Sequence, residues 1–253
     1  MFNAPDAYDR SIARYSRELA PRFVALTGVA ALPSGPVLDV GCGTGVLTAW
    51  LARQFGPEGV AGVDPSEAFV EACRARIPGA DVRVGAGEAL PFQDGTFRAA
   101  LAQLVLGLAK DAPRVVAEMR RVVRPGGIVA ACTFEARGLA ITRTFFDEAR
   151  KLDPAAPHDE RLPFRRIPEL EALWRGTSLR DVRTGEIRIE VDYDGFDDCF
   201  VPFAAGVGPP GAYFLSQPEE RRRALREALF EALGRPAGGF TLPAHVLAVT
   251  GIV

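Results

Sequence analysis

The stretch "PVLDVGCGTGVLTAWLARQFG", residues 36–56, is the most informative part of this sequence. An apolar strand pattern leads into three alternate glycines, and a helical pattern follows them. The glycines are Gly41, Gly43 and Gly45. Glycine tolerates positive φ and lets a ligand approach the backbone closely. Backbone N–H groups and the positive end of a helix dipole at such a turn suit an anion or a carboxylate.

Short apolar runs alternate with helical stretches from residue 36 to residue 134. The strand patterns are Val37–Val40, Gly59–Val63, Asp81–Val84, Ala99–Leu104 and Ile128–Thr133, and the helical patterns are Val46–Phe55, Ser66–Ile77 and Asp111–Val123. This alternation predicts βαβ units, a parallel sheet and right-handed crossovers. Ser66 is expected to cap the start of the helix Ser66–Ile77. Pro125-Gly126-Gly127 is expected to end the helix Asp111–Val123.

The alternation ends after Phe134. Residues 186–193 alternate with period two and predict a strand, residues 216–234 predict an amphipathic helix, and residues 245–253 predict a final strand. That last pair of strands is expected to be antiparallel. "GPPGAY", residues 208–213, is interpreted as a glycine-proline loop.

Composition narrows the possible partners. The chain has 253 residues, 48% hydrophobic content and a net charge of −2, which are ordinary globular values and give no reason to expect nucleic acid or an anionic membrane. The N-terminus lacks an apolar signal region, and no apolar run reaches about 18 residues. The four cysteines form no CxxC pair, so no disulfide framework or metal site is expected, and a reduced cytoplasmic compartment fits best.

The end of the second strand carries an acidic residue, Asp64, in "GVDPS", 19 residues after Gly45. An acidic side chain there accepts hydrogen bonds from ribose hydroxyls; the alternative is a turn residue before Pro65. The glycine spacing G-x-G-x-G departs from the dinucleotide fingerprint G-x-G-x-x-G, and no Gly-Lys-Ser/Thr follows, which excludes a Walker A loop.

Four motifs in order, "VLDVGCGTG", "VAGVDPS", "GEALPF" and "RRVVRPGG", resemble those of class I S-adenosylmethionine-dependent methyltransferases. The subgroup they resemble acts on small molecules and includes the ubiquinone/menaquinone C-methyltransferases. The resemblance is strong over residues 36–134 and weaker on either side. It implies S-adenosylmethionine as cofactor, S-adenosylhomocysteine as product, a small-molecule methyl acceptor, neither nucleic acid nor membrane as partner, and a monomer or homodimer.

The resemblance also implies an α/β fold with a Rossmann-like, mostly parallel seven-stranded sheet, helices on both faces and an antiparallel C-terminal strand pair. A single methyltransferase domain is expected over residues 1–253. Residues 36–134 would be its cofactor-binding core and residues 1–35 a helical cover, with substrate-side insertions at 135–183 and 194–240.

The resemblance implies cofactor contacts only for the residues of this sequence that match the family's motifs. Asp39 and Gly41 would lie near the methionine amino group, Gly41, Cys42 and Gly43 would line the cofactor, and Asp64 would bind the ribose diol. Pro65 and Ser66 would flank the adenine, Gly87 and Glu88 would meet its edge, and Gln103 and Leu104 would approach the transferred methyl. Tyr15 is expected on a segment that covers the cofactor, or else in helix packing, and Arg14 is a candidate partner for the cofactor carboxylate.

Two positions depart from the family pattern. Ala86 stands where the family often has an acidic residue, which removes a carboxylate acceptor for the adenine amino group. Phe97-Arg98 replaces a common Phe-Asp, and this change is expected to concern packing only.

No residue is assigned as a catalytic base. The candidates are His158 in a polar loop, His245 at the final strand, and Asp192 and Asp194 beside Tyr193. Aromatic residues are expected to form an apolar lid over the strand ends, or else part of the core. They are Phe145, Phe146, Trp174, Phe196, Phe200, Phe203, Tyr213 and Phe214.

Two other functions share some of these features. An NAD-dependent oxidoreductase would use a similar glycine turn and acidic ribose ligand, but the glycine spacing differs and no Tyr-x-x-x-Lys pair is evident. A protein that binds the cofactor without catalysis is the second alternative, because Ala86 is altered and obvious bases are scarce.

Overall fold

A seven-stranded mixed sheet forms the centre of the molecule. The computed structural model describes residues 11–157 and 162–253. The strands are β1 Val37–Val40, β2 Val60–Asp64, β3 Asp81–Val84, β4 Phe97–Gln103, β5 Val123–Leu139, β6 Arg180–Tyr193 and β7 Phe240–Ile252.

Helices connect and cover these strands. They are α1 Ile12–Thr27, α2 Val46–Phe55, α3 Glu67–Arg76, α4 Ala112–Val122, α5 Ala140–Leu152, α6 Ile167–Gly176, α7 Phe196–Ala204, α8 Gly208–Ser216 and α9 Glu219–Ala232. Among the residues that the structure describes, no helix combines the length and apolar character needed to cross a bilayer.

The strand order is β3-β2-β1-β4-β5-β7-β6. Strands β1 to β5 pair in parallel, whereas β7 pairs antiparallel with both β5 and β6. The order reverses between β1 and β4, and a crevice opens at the carboxyl ends of the strands at such a point. The predicted fold class is therefore confirmed, including the antiparallel C-terminal pair.

Alternate residues of the buried strands supply two separate cores. Val37 belongs to a cluster that includes α1, α2, α5 and α7 to α9, whereas its neighbour Leu38 belongs to a cluster with α4 and α6. Successive side chains of a strand point to opposite faces, so both faces of the sheet are covered by helices.

Strand β5 is longer than predicted, because Pro125-Gly126-Gly127 lies inside it rather than before it. Gly126 has φ +79°, and a Cβ added at Gly127 would lie 2.5 Å from the carbonyl oxygen of Arg98. The pairing of β4 with β5 shifts register between Phe97 and Ala99. The glycines therefore absorb an irregularity within the strand instead of ending the preceding segment.

One local prediction was wrong, and another is confirmed only in part. Residues 208–213 are not a loop: they begin α8, with prolines in its first turn, where the missing N–H costs no helical hydrogen bond. Ser66 occupies the N-cap position of α3 as predicted, but its side chain makes no capping hydrogen bond.

Arg98 is buried as a packing residue, as expected. Its guanidinium carbon lies 4.2 Å from the centre of the Phe55 ring, and its Nη1 donates to the carbonyl oxygen of Leu32 at 3.2 Å. Burial lowers its pKa, with a further contribution from the charge of Arg124. The contacts tie the amino end of β4 to the segment that precedes β1.

Candidate functional site

The glycine turn between β1 and α2 has a left-handed backbone at all three glycines. The φ angles are +72° at Gly41, +54° at Gly43 and +87° at Gly45. A Cβ at Gly41 would lie 2.4 Å from Cγ2 of Val105, and one at Gly45 would lie 2.7 Å from Sγ of Cys73. Glycine is thus required at both positions by backbone conformation and by close packing of the protein's own side chains.

Four backbone N–H groups of this turn are bonded within the protein. The N–H groups of Gly41 and Cys42 both donate to the carbonyl oxygen of Val63, at 2.7 and 3.0 Å. The N–H of Gly43 donates to Asp64 Oδ2 at 3.0 Å, and that of Gly45 donates to Cys42. The expectation that the amides of Gly41 and Gly43 would receive an anion is therefore wrong for this structure, because both already have an acceptor.

Asp64, at the end of β2, joins the turn to the next helix. One carboxylate oxygen accepts from the N–H of Gly43, and the other accepts from the N–H of Ser66 at 2.9 Å. The residue is 7% exposed, and burial raises its pKa, opposed by these two hydrogen bonds. Each carboxylate oxygen has room for a second donor, so the fixed carboxylate can still accept hydroxyl groups.

The residues that follow Asp64 lie at the surface of the crevice. Pro65 is exposed and Ser66 is half-buried. Because the backbone of Ser66 is held by Asp64, the pair has a defined position relative to that carboxylate.

Asp39 is buried beneath the turn rather than open to it. Its Oδ2 accepts a hydrogen bond from the hydroxyl of Thr48 at 2.7 Å, which links β1 to α2. Burial raises its pKa to about 7; the Thr48 hydrogen bond opposes this shift and the charge of Asp64 adds to it. Its predicted contact with the cofactor amino group stays a prediction.

The side chain of Cys42 points into the protein. It packs with Cys73, Val70 and Val82 in a small cluster next to α3. The hydrogen bond with the Cys73 thiol raises the pKa of the Cys42 thiol, and burial adds to this shift. Only the backbone of Cys42 borders the turn. This position agrees with the predicted lining of the cofactor by Cys42, and it keeps the thiol away from the turn.

The predicted adenine edge, Gly87 and Glu88, follows β3. The Glu88 carboxylate is turned away, accepting from the N–H of Lys110 at 3.0 Å at the start of α4, and Ala86 is exposed. The N–H of the nearby Gly85 donates to the carbonyl oxygen of Asp64 at 3.0 Å. The Glu88 side chain therefore holds α4, and backbone atoms are what this segment offers to a ligand.

Gln103 and Leu104 lie at the carboxyl end of β4, the strand next to β1. Gln103 Nε2 donates to the carbonyl oxygen of Ser16 in α1 at 3.4 Å. Leu104 has φ +63°, unusual for a residue with a side chain, and its N–H donates to the carbonyl oxygen of Cys132 at 2.9 Å. The chain therefore turns sharply at this end of the sheet.

Tyr15 lies at a part of the sheet that is distant from the glycine turn after β1. Its hydroxyl is hydrogen-bonded to that of Tyr193 at 2.5 Å, and its ring contacts Phe134 edge-on at 5.5 Å. Tyr193 ends β6, which is separated from β1 by β4, β5 and β7. Burial raises the pKa of Tyr15 to about 12, so its hydroxyl is neutral, and its contact with the cofactor stays a prediction.

Arg14 is occupied by protein groups. Its guanidinium makes two hydrogen bonds to the Asp198 carboxylate, at 2.7 and 2.9 Å, and lies 4.6 Å from the centre of the Tyr193 ring. The carboxylate partner is therefore a protein side chain rather than the cofactor. Neither Tyr193 nor Asp198 was predicted as a partner of α1. Only the period-two pattern of the strand, which places Tyr193 on its inward face, indicated a buried position for it.

The candidate bases do not converge on the crevice. His245 lies within β7 and contacts Glu186 at 3.1 Å, and Asp192 accepts from the Thr241 hydroxyl at 2.6 Å. Asp194 is exposed, and His158 lies outside the described residues.

Most of the predicted aromatic residues form one cluster. Phe145 contacts Phe203 at 4.7 Å and Tyr213 at 6.3 Å, and Phe200 contacts Phe214 at 5.2 Å. Trp174 is the exception: it packs on the opposite face of the sheet, where its indole N–H donates to Val129 at 3.2 Å. Including Trp174 in the lid was therefore wrong.

Comparison with known proteins supports the identity of this domain. Residues 38–131 match a family model described as "Methyltransferase domain". A demethylmenaquinone methyltransferase of Symbiobacterium thermophilum is 37% identical over 102 residues, which are 38% of this chain and 41% of that protein. A malonyl-[acyl-carrier protein] O-methyltransferase of Halorhodospira halophila is 32% identical over 142 residues, which are 51% of this chain and 46% of that protein.

The matched segments cover 32–46% of the length of the first curated relatives, so the comparison concerns the shared domain. Among solved structures, the YcgJ protein of Bacillus subtilis has the same fold, with a TM-score of 0.58 and 17% identity over 91% of this chain and 97% of that chain. The motifs, the sheet order and the family match agree that residues 38–131 of this chain are similar to the methyltransferase domain.

Proposed function

We propose that the protein transfers a methyl group from S-adenosylmethionine to a small organic acceptor. The observation that carries this proposal is the pairing of a fixed carboxylate, Asp64, with a glycine turn in which the amides of Gly41 and Gly43 are already bonded. A pyrophosphate needs free N–H groups at such a turn, whereas a nucleoside needs a carboxylate for its ribose. This combination favours the adenosyl cofactor over a dinucleotide.

The reaction is an in-line displacement at the cofactor's methyl carbon. The carbon–sulfur bond breaks, the acceptor atom forms the new bond to carbon, and the sulfonium becomes the neutral thioether of S-adenosylhomocysteine. If the attacking atom carries a proton, that proton leaves to solvent. The cofactor already holds the activated methyl, so the protein's role is to align the reacting atoms and exclude water.

We assign no base, because the described candidates contact other groups away from the turn. The proposed layout places residues 36–134 under the cofactor, α1 over the end of β4, and the aromatic cluster on the acceptor side. The four cysteines are buried free thiols, which fits a reducing, cytoplasmic location.

The ribose assignment is tested with paired ligands. Calorimetry would compare S-adenosylhomocysteine with its 2′-deoxyribose analogue in the wild-type protein, Asp64→Asn and the control Asp81→Asn, an exposed residue that starts β3. We expect the wild type and the control to prefer the ribose form by about tenfold to a hundredfold, since a hydrogen bond to a charged group contributes about 1.5–3 kcal/mol.

Asp64→Asn should lose this preference, because the charged acceptor is gone. Using the ratio of two ligands separates loss of the ribose contact from general damage to the turn, which would weaken both ligands alike. An unchanged ratio in Asp64→Asn contradicts the assignment, and tight binding of NAD without binding of S-adenosylhomocysteine contradicts the proposed function.

A non-catalytic binding role makes a different prediction. Radiolabelled S-adenosylmethionine incubated with a metabolite library would show label transfer for an enzyme. Intact cofactor binding with no transfer to any compound would favour the binding role instead.

A further inference from the structure

The side-chain carbonyl oxygen of Gln103 lacks a hydrogen-bond partner in the described part of the chain. The residue is 8% exposed, and its Oε1 atom is fully buried. Buried polar atoms are nearly always paired in native proteins, since an unpaired acceptor has lost its hydrogen bonds to water. An unpaired oxygen at the carboxyl end of β4 therefore points to a partner other than the residues that the structure describes.

The orientation of this amide is fixed by its other atom. Nε2 donates to the carbonyl oxygen of Ser16, so rotating the amide by half a turn would place two oxygens against each other. The left-handed backbone of Leu104 and its hydrogen bond to Cys132 hold the end of the strand in place. Oε1 therefore faces away from Ser16 by necessity.

The segments next to Gln103 carry apolar side chains. Leu104 follows it, Cys132 is its partner on β5, and Phe134 lies two residues beyond Cys132. Leu104 and Phe134 pack against the first core cluster, and Tyr15, next to Ser16, contacts the Phe134 ring. A single amide oxygen in such surroundings can discriminate between ligands of the same shape, because a ligand without a donor leaves it unpaired.

We propose that Oε1 of Gln103 accepts a hydrogen bond from an O–H or N–H group of the methyl acceptor, and so selects apolar acceptors that carry such a donor. The proposal rests on the proposed methyl transfer and adds the class of acceptor. A neutral amide binds the donor but does not take up its proton, so Gln103 is a specificity-determining residue and not a base.

Matched compounds test this selection. Protein saturated with S-adenosylhomocysteine would be titrated by NMR with pairs in which a methyl replaces a hydroxyl, such as phenol with toluene and 2-naphthol with 2-methylnaphthalene. We expect the wild type to favour the hydroxyl member by about fivefold or more. Gln103→Met should abolish the preference, whereas Gln93→Met, an exposed glutamine beyond the opposite end of β4, should retain it.

Three results would overturn the proposal. They are equal affinity of the wild type for both members of every pair, no binding by any pair, and weaker binding of S-adenosylhomocysteine to Gln103→Met than to Gln93→Met. The last result would make the cofactor the donor. Failure of S-adenosylhomocysteine to bind the wild type is a separate outcome, and it refutes the proposed function itself.

The free protein gives an independent readout. Methionine has nearly the shape of glutamine and removes the unpaired oxygen at the cost of a long, 3.4 Å hydrogen bond. We therefore expect Gln103→Met to raise the melting temperature of the free protein by about 2–4 °C. A melting temperature that is unchanged or lower would show that Oε1 needs no partner, and the proposal would fail.

Discussion

Replacing Asp39 by asparagine should change how the stability of the protein depends on pH. Burial raises the pKa of this carboxyl from 3.8 to about 7. An acid with a raised pKa in the folded state stabilises the fold only while it is protonated. That stability is lost as the pH rises from the unfolded pKa near 4 to the folded pKa near 7.

The size of this effect follows from the shift. At 1.36 kcal/mol per pKa unit, a shift of about three units amounts to roughly 4 kcal/mol, of which about 2–3 kcal/mol is lost between pH 5 and pH 8. Asparagine does not titrate and keeps a carbonyl oxygen for the Thr48 hydroxyl. We therefore expect Asp39→Asn to gain about 2–3 kcal/mol relative to the wild type across this interval.

Urea unfolding at pH 5, 6, 7 and 8 would measure this gain, with fluorescence of the buried Trp174 as one probe. Asp194→Asn, an exposed aspartate at the end of β6, is the matched control and should follow the wild type at each pH. Parallel curves for Asp39→Asn and the wild type would refute the reasoning, because they would mean that the buried carboxyl is already ionised at pH 5.

The same variant tests the predicted position of Asp39 near the cofactor amino group. A nearby ammonium would lower the pKa of Asp39, so the affinity for S-adenosylhomocysteine should rise with pH through 7 in the wild type. Asp39→Asn should not show this rise. A pH-independent affinity in the wild type would place the ammonium elsewhere.

Two further predictions concern the turn and the first helix. Gly41→Ala should destabilise the protein by about 1–3 kcal/mol more than Gly28→Ala. Both glycines have φ near +70°, but only at Gly41 would an added Cβ lie against Val105. If urea unfolding showed that both variants lose the same free energy of unfolding, the packing argument would be wrong. A double-mutant cycle on Arg14 and Asp198 should give a coupling of about 1 kcal/mol, because the pair makes two hydrogen bonds and is partly buried; a coupling near zero would show that the pair does not hold α1.

The sequence predicted local features of the fold well where one short segment determines them. The bounds of β1, α2 and β3 match the predictions, because apolar runs and glycines mark their ends within a few residues. The helix at residues 208–216 was missed, since prolines and glycines normally indicate a loop, and the tolerance of a first helical turn for proline was overlooked.

Contacts between distant residues were not predictable in the same way. Tyr15 meets Tyr193 and Arg14 meets Asp198 only because β6 lies at the edge of the sheet beyond β7. The sequence analysis also did not predict that N–H groups of the glycine turn already donate to acceptors within the protein. Val63 and Asp64, which accept from Gly41, Cys42 and Gly43, lie on the next strand, and a motif does not show which amides remain free.

The position of β7 has a consequence for how this protein folds during synthesis. This strand, Phe240–Ile252, is inserted between β5 and β6, and β6 pairs with no other strand in the described sheet. The surface that receives α1 therefore cannot be completed until the ribosome has released residues near 252, so α1 must wait for a strand that is synthesised long after it. We expect docking of α1 to be a late folding step, since contacts so far apart in sequence form slowly.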